Sequence, residues 1–324
     1  MNKPLLSLVA ALALALPVAA QEAAPDAPPS PGEIVAAAPA GDWVVIEPED
    51  LVVMTLAPDA KGKPRQVVIQ LMPAPFSQGW VENIRTLARA KWYDGIAVTR
   101  VQDNYVVQWG DPNGEDAAKA KALPEGLRVM EESAYITSLY GMGAERAANE
   151  VGMAMLGMPA LGGDAYADGT EFISGWPVAT GETEIAWPVH CYGMVGVGRG
   201  YSPDTGTGAE LYTVIGHAPR HLDRNIALVG RVVEGIEHLS SLPRGTGALG
   251  FYEDPAEHTP IVSIRVASDL PAADQPAFQY LSTESESFAR YAEARANRRD
   301  PFFIVPAGGA DVCNIPVPVR RTPQ

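Results

Sequence analysis

The chain has 324 residues, 47% of them hydrophobic, and a formal net charge of −15 at pH 7. Such an acidic chain lacks the basic stripe that binds phosphate backbones, so nucleic acid is not an expected partner, and neither is an anionic membrane surface. The five histidines have no zinc-ligand spacing and no CxxC pair occurs. We therefore predict no metal, no other cofactor and no redox-active site.

Residues 1–20 have the three parts of a secretory signal peptide. Lys3 supplies the positive start, Leu5–Leu16 the apolar stretch, and Val18-Ala19-Ala20 the small-residue cleavage site. The apolar stretch is too short to span a bilayer, and no later one is long enough. We expect export to the periplasm; the alternative is a retained N-terminal anchor. The Ala/Pro-rich segment 21–41 is predicted to be a disordered linker, because it offers little apolar surface to bury.

Residues 67–112 are predicted to form a strand, a helix and a β-hairpin, in that order. The β-branched apolar run of 67–71 is typical of a buried strand, and apolar residues recur at helical spacing across 78–90. The segments 96–101 and 105–109 follow as two strands around a tight turn.

Arg100 and Gln108 lie on the two strands of this hairpin. Because alternate residues of a strand point to the same face, the two side chains share one face of the sheet if the register holds. Taken singly, an arginine there would be read as an ordinary exposed strand residue, and the glutamine as part of a solvated face.

Residues 113–190 show weaker patterns, and we predict an irregular or helical insertion there. One or two helices are compatible with 130–158, with a short strand at 172–173 and a turn at Trp176-Pro177. Methionine and aromatic residues of this segment are read as local core, the alternative being a peptide groove; they are Met142, Met153, Met155, Met158, Tyr135 and Tyr140.

Regular structure is predicted again from Tyr192. The expected elements are strands at 192–197, 210–215, 226–232 and 261–266, and a short helix at 234–242. The glycine-rich loop 198–208 lacks both the Lys-Ser/Thr of a phosphate loop and the ordered GxGxxG of a dinucleotide site.

This order of elements resembles the cyclophilin family of peptidyl-prolyl cis-trans isomerases. The resemblance lies in VENIRTLARAKWYDGIAVTRVQDNYVVQWGDP (81–112), GMVGVGRG (193–200), TGAELYTVIG (207–216) and HLDRNIALVGRVVEGIEHLSSL (221–242). It implies a mainly β fold, a closed eight-stranded antiparallel barrel capped by two helices, over residues 42–270 with 113–190 inserted. The strand around 44–56 would be the first of the barrel.

The resemblance also implies a site. Arg100 matches the catalytic arginine of the family, and Gln108 matches the glutamine that supports it and bonds the substrate backbone. The implied substrate-binding positions line a proline pocket and its rim; they are Tyr105, Val106, Gly198, Arg199, Gly200, Glu210, Tyr212, Leu222 and Ile226. The apolar members could equally be plain barrel core.

Four positions depart from the family pattern. Thr99 and Ile226 stand where the family has histidines, and His221 stands where several members have tryptophan. Trp109 replaces a glycine, which we expect to put a bulky ring beside Gln108. The arginine, the glutamine and the apolar floor are kept, so we expect isomerase activity, with a lowered rate or an altered substrate preference.

The segment 271–324 is predicted to be a C-terminal extension with a helix at 285–299. A capping box Thr283-x-x-Glu286 begins this helix, which either packs onto the domain or docks a partner. Residues 302–305 are expected either to add a strand or to pack across the barrel. Cys191 and Cys313 are the only cysteines, and an oxidising compartment favours a disulfide between them.

Three functions follow from these observations. The first is an isomerase that assists the folding of exported proteins by binding their X-Pro segments. The second is a catalytically weak chaperone or assembly module that binds proline-containing peptides. The third is a structural component of the envelope, in which the insertion and the extension make the contacts.

Overall fold

The computed structural model describes residues 27–139, 164–182 and 185–323. The strands of these ranges are β1 (Trp43–Ile46), β2 (Leu51–Leu56), β3 (Arg65–Leu71), β4 (Ala97–Val101), β5 (Val106–Gly110), β6 (Thr137–Ser138), β7 (Gly169–Ile173), β8 (Trp176–Gly181), β9 (Ile185–Pro188), β10 (Met194–Val197), β11 (Leu211–Val214), β12 (Leu228–Glu234), β13 (Thr259–Val266), β14 (Phe278–Leu281) and β15 (Val319–Arg321). The helices are α1 (Pro31–Ala36), α2 (Gln78–Arg89), α3 (Glu237–Ser240) and α4 (Glu286–Ala296).

Eight antiparallel strands close into a barrel in the order β10-β11-β5-β4-β13-β2-β3-β12. This confirms the predicted barrel. The helix α2 places Trp80, Ile84 and Leu87 on one buried face, as its apolar spacing predicts, and packs against β12 and β13. The short helix α3 packs against β3 and is only four residues long, where a helix over 234–242 was predicted.

The prediction of a first barrel strand across 44–56 is wrong in its first half. Pro48 opens a single turn of 3₁₀ helix that separates β1 from β2, because proline cannot donate to a continuous strand ladder. Only β2 enters the barrel. The strand β1 pairs instead with β14, in a three-stranded sheet of order β1-β14-β15.

This small sheet covers the outer surface of the barrel. Phe278 of β14 is buried in one apolar cluster with Leu51, Val53 and Val68 of the barrel strands β2 and β3. The burial of β2 on both faces follows from this contact, since its other face lines the barrel core. The two ends of the described chain are thus joined on one side of the barrel.

The disordered linker predicted for 21–41 is wrong for residues 27–41. They contain α1, whose N-cap Ser30 and Glu33 form a complete capping box. Ile34 is buried, and α1 packs against α4. A well-capped turn with a few buried apolar residues, Ile34 and Ala38 among them, therefore orders this segment against the C-terminal helix. Residues 1–26, including the predicted signal peptide, lie outside the described residues.

The first part of the insertion, 113–136, is irregular with one turn of 3₁₀ helix, as predicted, but beyond it the described residues form a sheet in place of the predicted irregular or helical segment. Four strands pair in the order β6-β9-β8-β7. The turn between β7 and β8 is formed by Ser174 and Gly175, both at positive φ, so Trp176-Pro177 belongs to a strand and the predicted turn there is wrong. The short strand predicted at 172–173 is confirmed as part of β7.

The local-core interpretation of the insertion is confirmed for Tyr135. Its ring is buried and stacks on Trp80 of α2, with ring centroids 5.5 Å apart. The other methionine and aromatic residues of that interpretation lie outside the described residues; they are Tyr140, Met142, Met153, Met155 and Met158.

The C-terminal helix α4 is confirmed, but its predicted cap is wrong. Ser285 is the N-cap, with its hydroxyl accepting from the Phe288 amide, whereas Thr283 accepts from the Gly175 amide of the inserted sheet. The apolar face of α4 packs onto the body of the protein, with Phe288 buried against Phe172. Residues 302–305 form no strand and do not pack across the barrel, since all four side chains are exposed.

The predicted disulfide between Cys191 and Cys313 is present and joins residues 122 apart in sequence. It ties the tail beyond α4 to the segment that leads into β10. Among the described residues, none of the helices has both the length and the apolar character needed to cross a bilayer.

Candidate active site

Arg100 and Gln108 are register partners on β4 and β5, and Arg100 Nη1 donates to Gln108 Oε1 at 2.8 Å. The predicted sharing of one face is confirmed. A β-bulge between Val98 and Arg100 produces it. Without the extra residue, regular pairing would place Arg100 opposite Val107, whose side chain lies in the barrel core. The bulge therefore turns the arginine out of the barrel.

The Arg100 guanidinium is held on several sides. Nε donates to the Leu249 carbonyl at 2.7 Å, and Nη2 donates to Gln102. The rings of Phe251 and Tyr105 lie 5.3 and 5.7 Å from its central carbon. Burial lowers the pKa of Arg100 from its ordinary value, but a guanidinium remains charged in a protein. The result is a fixed cation at the surface.

An apolar patch lies directly beside this cation. We define it as the buried Val106, Tyr212 and Val214 with the partly buried Tyr105, Leu222 and Ile226. It contains all five apolar or aromatic positions that the family resemblance implied for the proline pocket and its edge. The structure therefore brings them together on the face that also presents Arg100.

Glu210 extends the polar side of the site. Its carboxylate accepts a hydrogen bond from Gln108 Nε2, and burial raises the pKa of this carboxyl group from its ordinary value. Gly198 faces it closely, since a Cβ there would lie 2.7 Å from Glu210 Cγ. The Glu210 acceptor fixes the Gln108 amide with its oxygen toward Arg100.

The segment 198–200 borders the site, but its amide groups are largely used within the protein. The Gly198 amide donates to the Glu210 carbonyl at 2.8 Å, and the Gly200 amide donates to Asp204 at 2.7 Å. The Arg199 side chain donates to the carbonyls of Asn225 and Gly200 at 3.0 and 2.7 Å.

Trp109 does not crowd the site, and the expectation that its ring lies beside Gln108 is wrong. The indole is fully buried in the barrel core. Neighbouring residues of a strand point to opposite faces, so the ring at 109 and the amide at 108 are separated by the sheet.

Several residues around the site were missed from the sequence. Leu249 and Phe251 lie between the predicted helix 234–242 and the predicted strand 261–266, and no pattern in that segment indicates contact with Arg100. His190 and Asp223 lie behind Tyr212: His190 Nε2 is 2.8 Å from Tyr212 Oη, and Nδ1 is 2.8 Å from Asp223 Oδ1. The available signal was Tyr212 itself, because a buried tyrosine hydroxyl requires a partner.

The His221 ring stacks on Tyr105 with centroids 6.3 Å apart, at the rim of the apolar patch. Within the described ranges, no three histidine, cysteine or carboxylate side chains are grouped so as to hold a metal ion.

Comparison with known proteins identifies the family. The model of the family "Cyclophilin type peptidyl-prolyl cis-trans isomerase/CLD" matches residues 65–266, which is more than half of the chain. The chain belongs to this family and contains a cyclophilin-type peptidyl-prolyl cis-trans isomerase domain. A comparison with curated proteins found no match.

The solved structure of one cyclophilin supports the fold. Cyclophilin AquaCyp293 from Hirschia baltica is 21% identical with a TM-score of 0.60, and the match covers 87% of this chain and 95% of that chain. The cyclophilin type isomerase of Cryptosporidium parvum, crystallised in the presence of the dipeptide ala-pro, is 10% identical with a TM-score of 0.36, covering 66% of this chain and 98% of that one.

Proposed function

We propose that this isomerase acts on X-Pro bonds of exported proteins that are still folding, and that Arg100 stabilises the twisted amide. The observation that carries the proposal is the arrangement of Arg100: a cation held by Gln108 on a bulged strand, directly beside a patch of aliphatic and aromatic side chains.

The reaction needs neither a nucleophile nor a general acid. Rotation about an X-Pro bond crosses a barrier of ~18–20 kcal/mol that comes from amide resonance, and the uncatalysed exchange takes tens to hundreds of seconds. In the twisted state the resonance is lost and the proline nitrogen regains its lone pair. A fixed donor near that nitrogen lowers the barrier, because it interacts more strongly with the twisted amide than with either planar form.

Each group of residues in the site has its own role in this reaction. The rings of Tyr105 and Tyr212 with Val106 hold the pyrrolidine ring away from water. Gln108 keeps the guanidinium of Arg100 in place, and the planar fork of an arginine leaves further N–H groups free to meet the prolyl amide. Leu222 and Ile226 close the outer edge of the patch.

Two features support export to the periplasm. Residues 1–20 have the composition of a cleaved signal peptide. The disulfide between Cys191 and Cys313 is the kind of bond that persists in an oxidising compartment and is rare in the cytosol. Clients in that compartment are secreted chains that contain proline.

The test uses the protein purified without residues 1–20. We expect it to accelerate cis–trans exchange of an Ala-Pro tetrapeptide and the slow, proline-limited refolding phase of an exported protein. N-terminal sequencing of the protein recovered from the periplasm should begin at Gln21. Peptide binding without any acceleration would instead favour the chaperone alternative, and recovery with Met1 in the cytoplasm would contradict the proposed location.

The pH profile should report the ionisation of Glu210. Burial raises the pKa of this carboxyl group, so it takes up a proton at a higher pH than a free glutamate. The protonated carboxyl group has an O–H donor as well as an acceptor. It therefore no longer forces the Gln108 amide to point its NH₂ group toward Glu210, and the amide that positions Arg100 is free to turn. We therefore expect kcat/KM to fall as the pH is lowered through the folded-state pKa of Glu210.

The effect of Glu210 protonation on the stability of the fold is opposite to its effect on activity. A carboxyl group whose pKa is higher in the folded state binds its proton more tightly there, so its protonation increases the free energy of unfolding. The acidic fall in activity should disappear in Glu210→Gln and remain in Glu115→Gln, which changes an exposed carboxylate close enough to affect Glu210. An unchanged profile in Glu210→Gln would contradict this role.

A further inference from the structure

A chain of buried polar side chains runs behind the apolar patch. His190 is 0% exposed, and its ring lies between Tyr212 Oη and Asp223 Oδ1, 2.8 Å from each. The His190 backbone amide also donates to Asp223 Oδ1, at 3.0 Å. Burial raises the pKa of the Tyr212 phenol, which keeps its proton and remains a donor. With Nδ1–H donated to the carboxylate, Nε2 is the acceptor for the Tyr212 hydroxyl.

The chain continues through a buried arginine to the inserted segment. Arg220 Nε donates to Asp223 Oδ2 at 2.6 Å, and its Nη1 donates to Asp164 at 2.7 Å. Both carboxylates and the guanidinium are almost wholly buried. Because Arg220 begins the turn of 3₁₀ helix that carries His221 and Leu222, the same network anchors a second wall of the site.

The Tyr212 ring has little freedom on its other sides. It packs across Gly196 of β10, where a Cβ would overlap the phenol ring. His190 lies nearly parallel to it, with ring centroids 6.3 Å apart. The hydroxyl bond to His190 is therefore the contact that sets how far the ring tilts toward the bound proline.

We propose that His190 is a positioning residue for the isomerase site, and that it fixes the Tyr212 wall through the hydroxyl and the Leu222 wall through Asp223. This inference rests on the proposed use of the apolar patch as the proline pocket. It also gives the additions to the barrel a role. Asp164 belongs to the inserted segment, and Cys191, next to His190, is bonded to the tail through Cys313.

The test is a double-mutant cycle on prolyl-peptide isomerisation with Tyr212→Phe, His190→Leu and the pair. We expect Tyr212→Phe to lower kcat/KM about five- to tenfold, the effect of one buried hydrogen bond, and His190→Leu, which also removes the contact to Asp223, to lower it at least as much. The loss should appear in KM with kcat within twofold, because the wall contacts planar and twisted proline alike. The double variant should be no worse than His190→Leu, since both changes remove the same contact.

A rescue variant separates positioning from general support of the fold. His190→Gln retains a polar group that can meet the hydroxyl, so it should recover activity relative to His190→Leu when Tyr212 is present but not in the Tyr212→Phe background. His238→Leu is the control for loss of an imidazole elsewhere, because this histidine lies on α3, which packs against β3 and contributes nothing to the apolar patch. Additive losses, or an unchanged KM in folded His190→Leu, would overturn the inference.

Two further outcomes remain decisive. If His190→Leu does not fold, Tyr212→Phe alone decides, because it leaves the core histidine in place, and an unchanged KM would overturn the inference. If the wild type shows no catalysis, the proposed function fails separately. The same variants are then titrated with the Ala-Pro tetrapeptide, and we expect the five- to tenfold change in Kd. An unchanged Kd would overturn the positioning role.

Discussion

Replacing Arg100 by alanine is expected to lower kcat/KM for prolyl-peptide isomerisation by roughly 10²- to 10³-fold, the usual effect of removing one preorganised donor from a transition state. The loss should lie in kcat, since the guanidinium acts on the twisted amide and the apolar patch binds the proline ring in all states. An isomerisation assay with a fixed X-Pro peptide, read at several peptide concentrations, measures both constants.

Arg100→Lys separates charge from geometry. Lysine keeps the cation but cannot donate at once to Gln108, Gln102 and the Leu249 carbonyl, so it should recover only part of the activity. The matched control is Arg89→Ala, an exposed arginine on α2 that pairs with surface carboxylates. Activity of Arg100→Ala within twofold of the wild type would exclude the proposed role of Arg100.

The position of Arg100 shows what the sequence could and could not predict at the site. Arg100 and Gln108 were expected to share a face by strand alternation, and they do, but regular pairing would have turned the arginine into the core. The bulge at Thr99 makes the difference. A β-bulge is a property of the pairing between two strands, so the residue pattern of one strand does not reveal it.

The polar partners of the site were the least predictable part. The alternation of side chains along β5 would have placed Trp109 in the core once Gln108 was assigned to the surface. The comparison with the family pattern instead led us to expect its ring beside the glutamine. His190 and Asp223 are 33 residues apart in sequence and meet only because the barrel and the inserted sheet are packed together. Contacts of that kind follow from tertiary structure and leave no local periodicity.

The fold was predictable where apolar residues repeat with a clear period. Apart from the first barrel strand, the barrel strands and α2 were recovered with small shifts at their ends, whereas most of the sheet in the insertion was not predicted. Its strands β7 and β8 meet at a tight Ser174-Gly175 turn that strand propensities alone do not single out. Likewise, α1 is a helix of six residues whose stability comes from packing on α4, a contact between the two ends of the described chain.

Removal of the disulfide should have the largest effect on stability. Replacing Cys191 and Cys313 by alanine, or reducing the bond, is expected to lower the free energy of unfolding by about 2–5 kcal/mol, because the cross-link closes a loop of more than a hundred residues in the unfolded chain. The separation of 122 residues places this bond at the upper end of loop lengths. Urea unfolding of the oxidised and reduced protein, with the slopes compared, measures the difference.

The tail is also held by the pairing of β15 with β14 and by side-chain hydrogen bonds from α4, which make the expected loss partial rather than complete. Tyr291 donates from its hydroxyl to the Pro316 carbonyl at 2.7 Å, and Arg295 donates to the Asn314 carbonyl at 2.8 Å. The double-alanine variant is the control for reductant, which should no longer change its unfolding because the chain has no other cysteine. Equal stability of the oxidised and reduced wild type would mean that α4 and the β14–β15 pairing hold the tail without the bond.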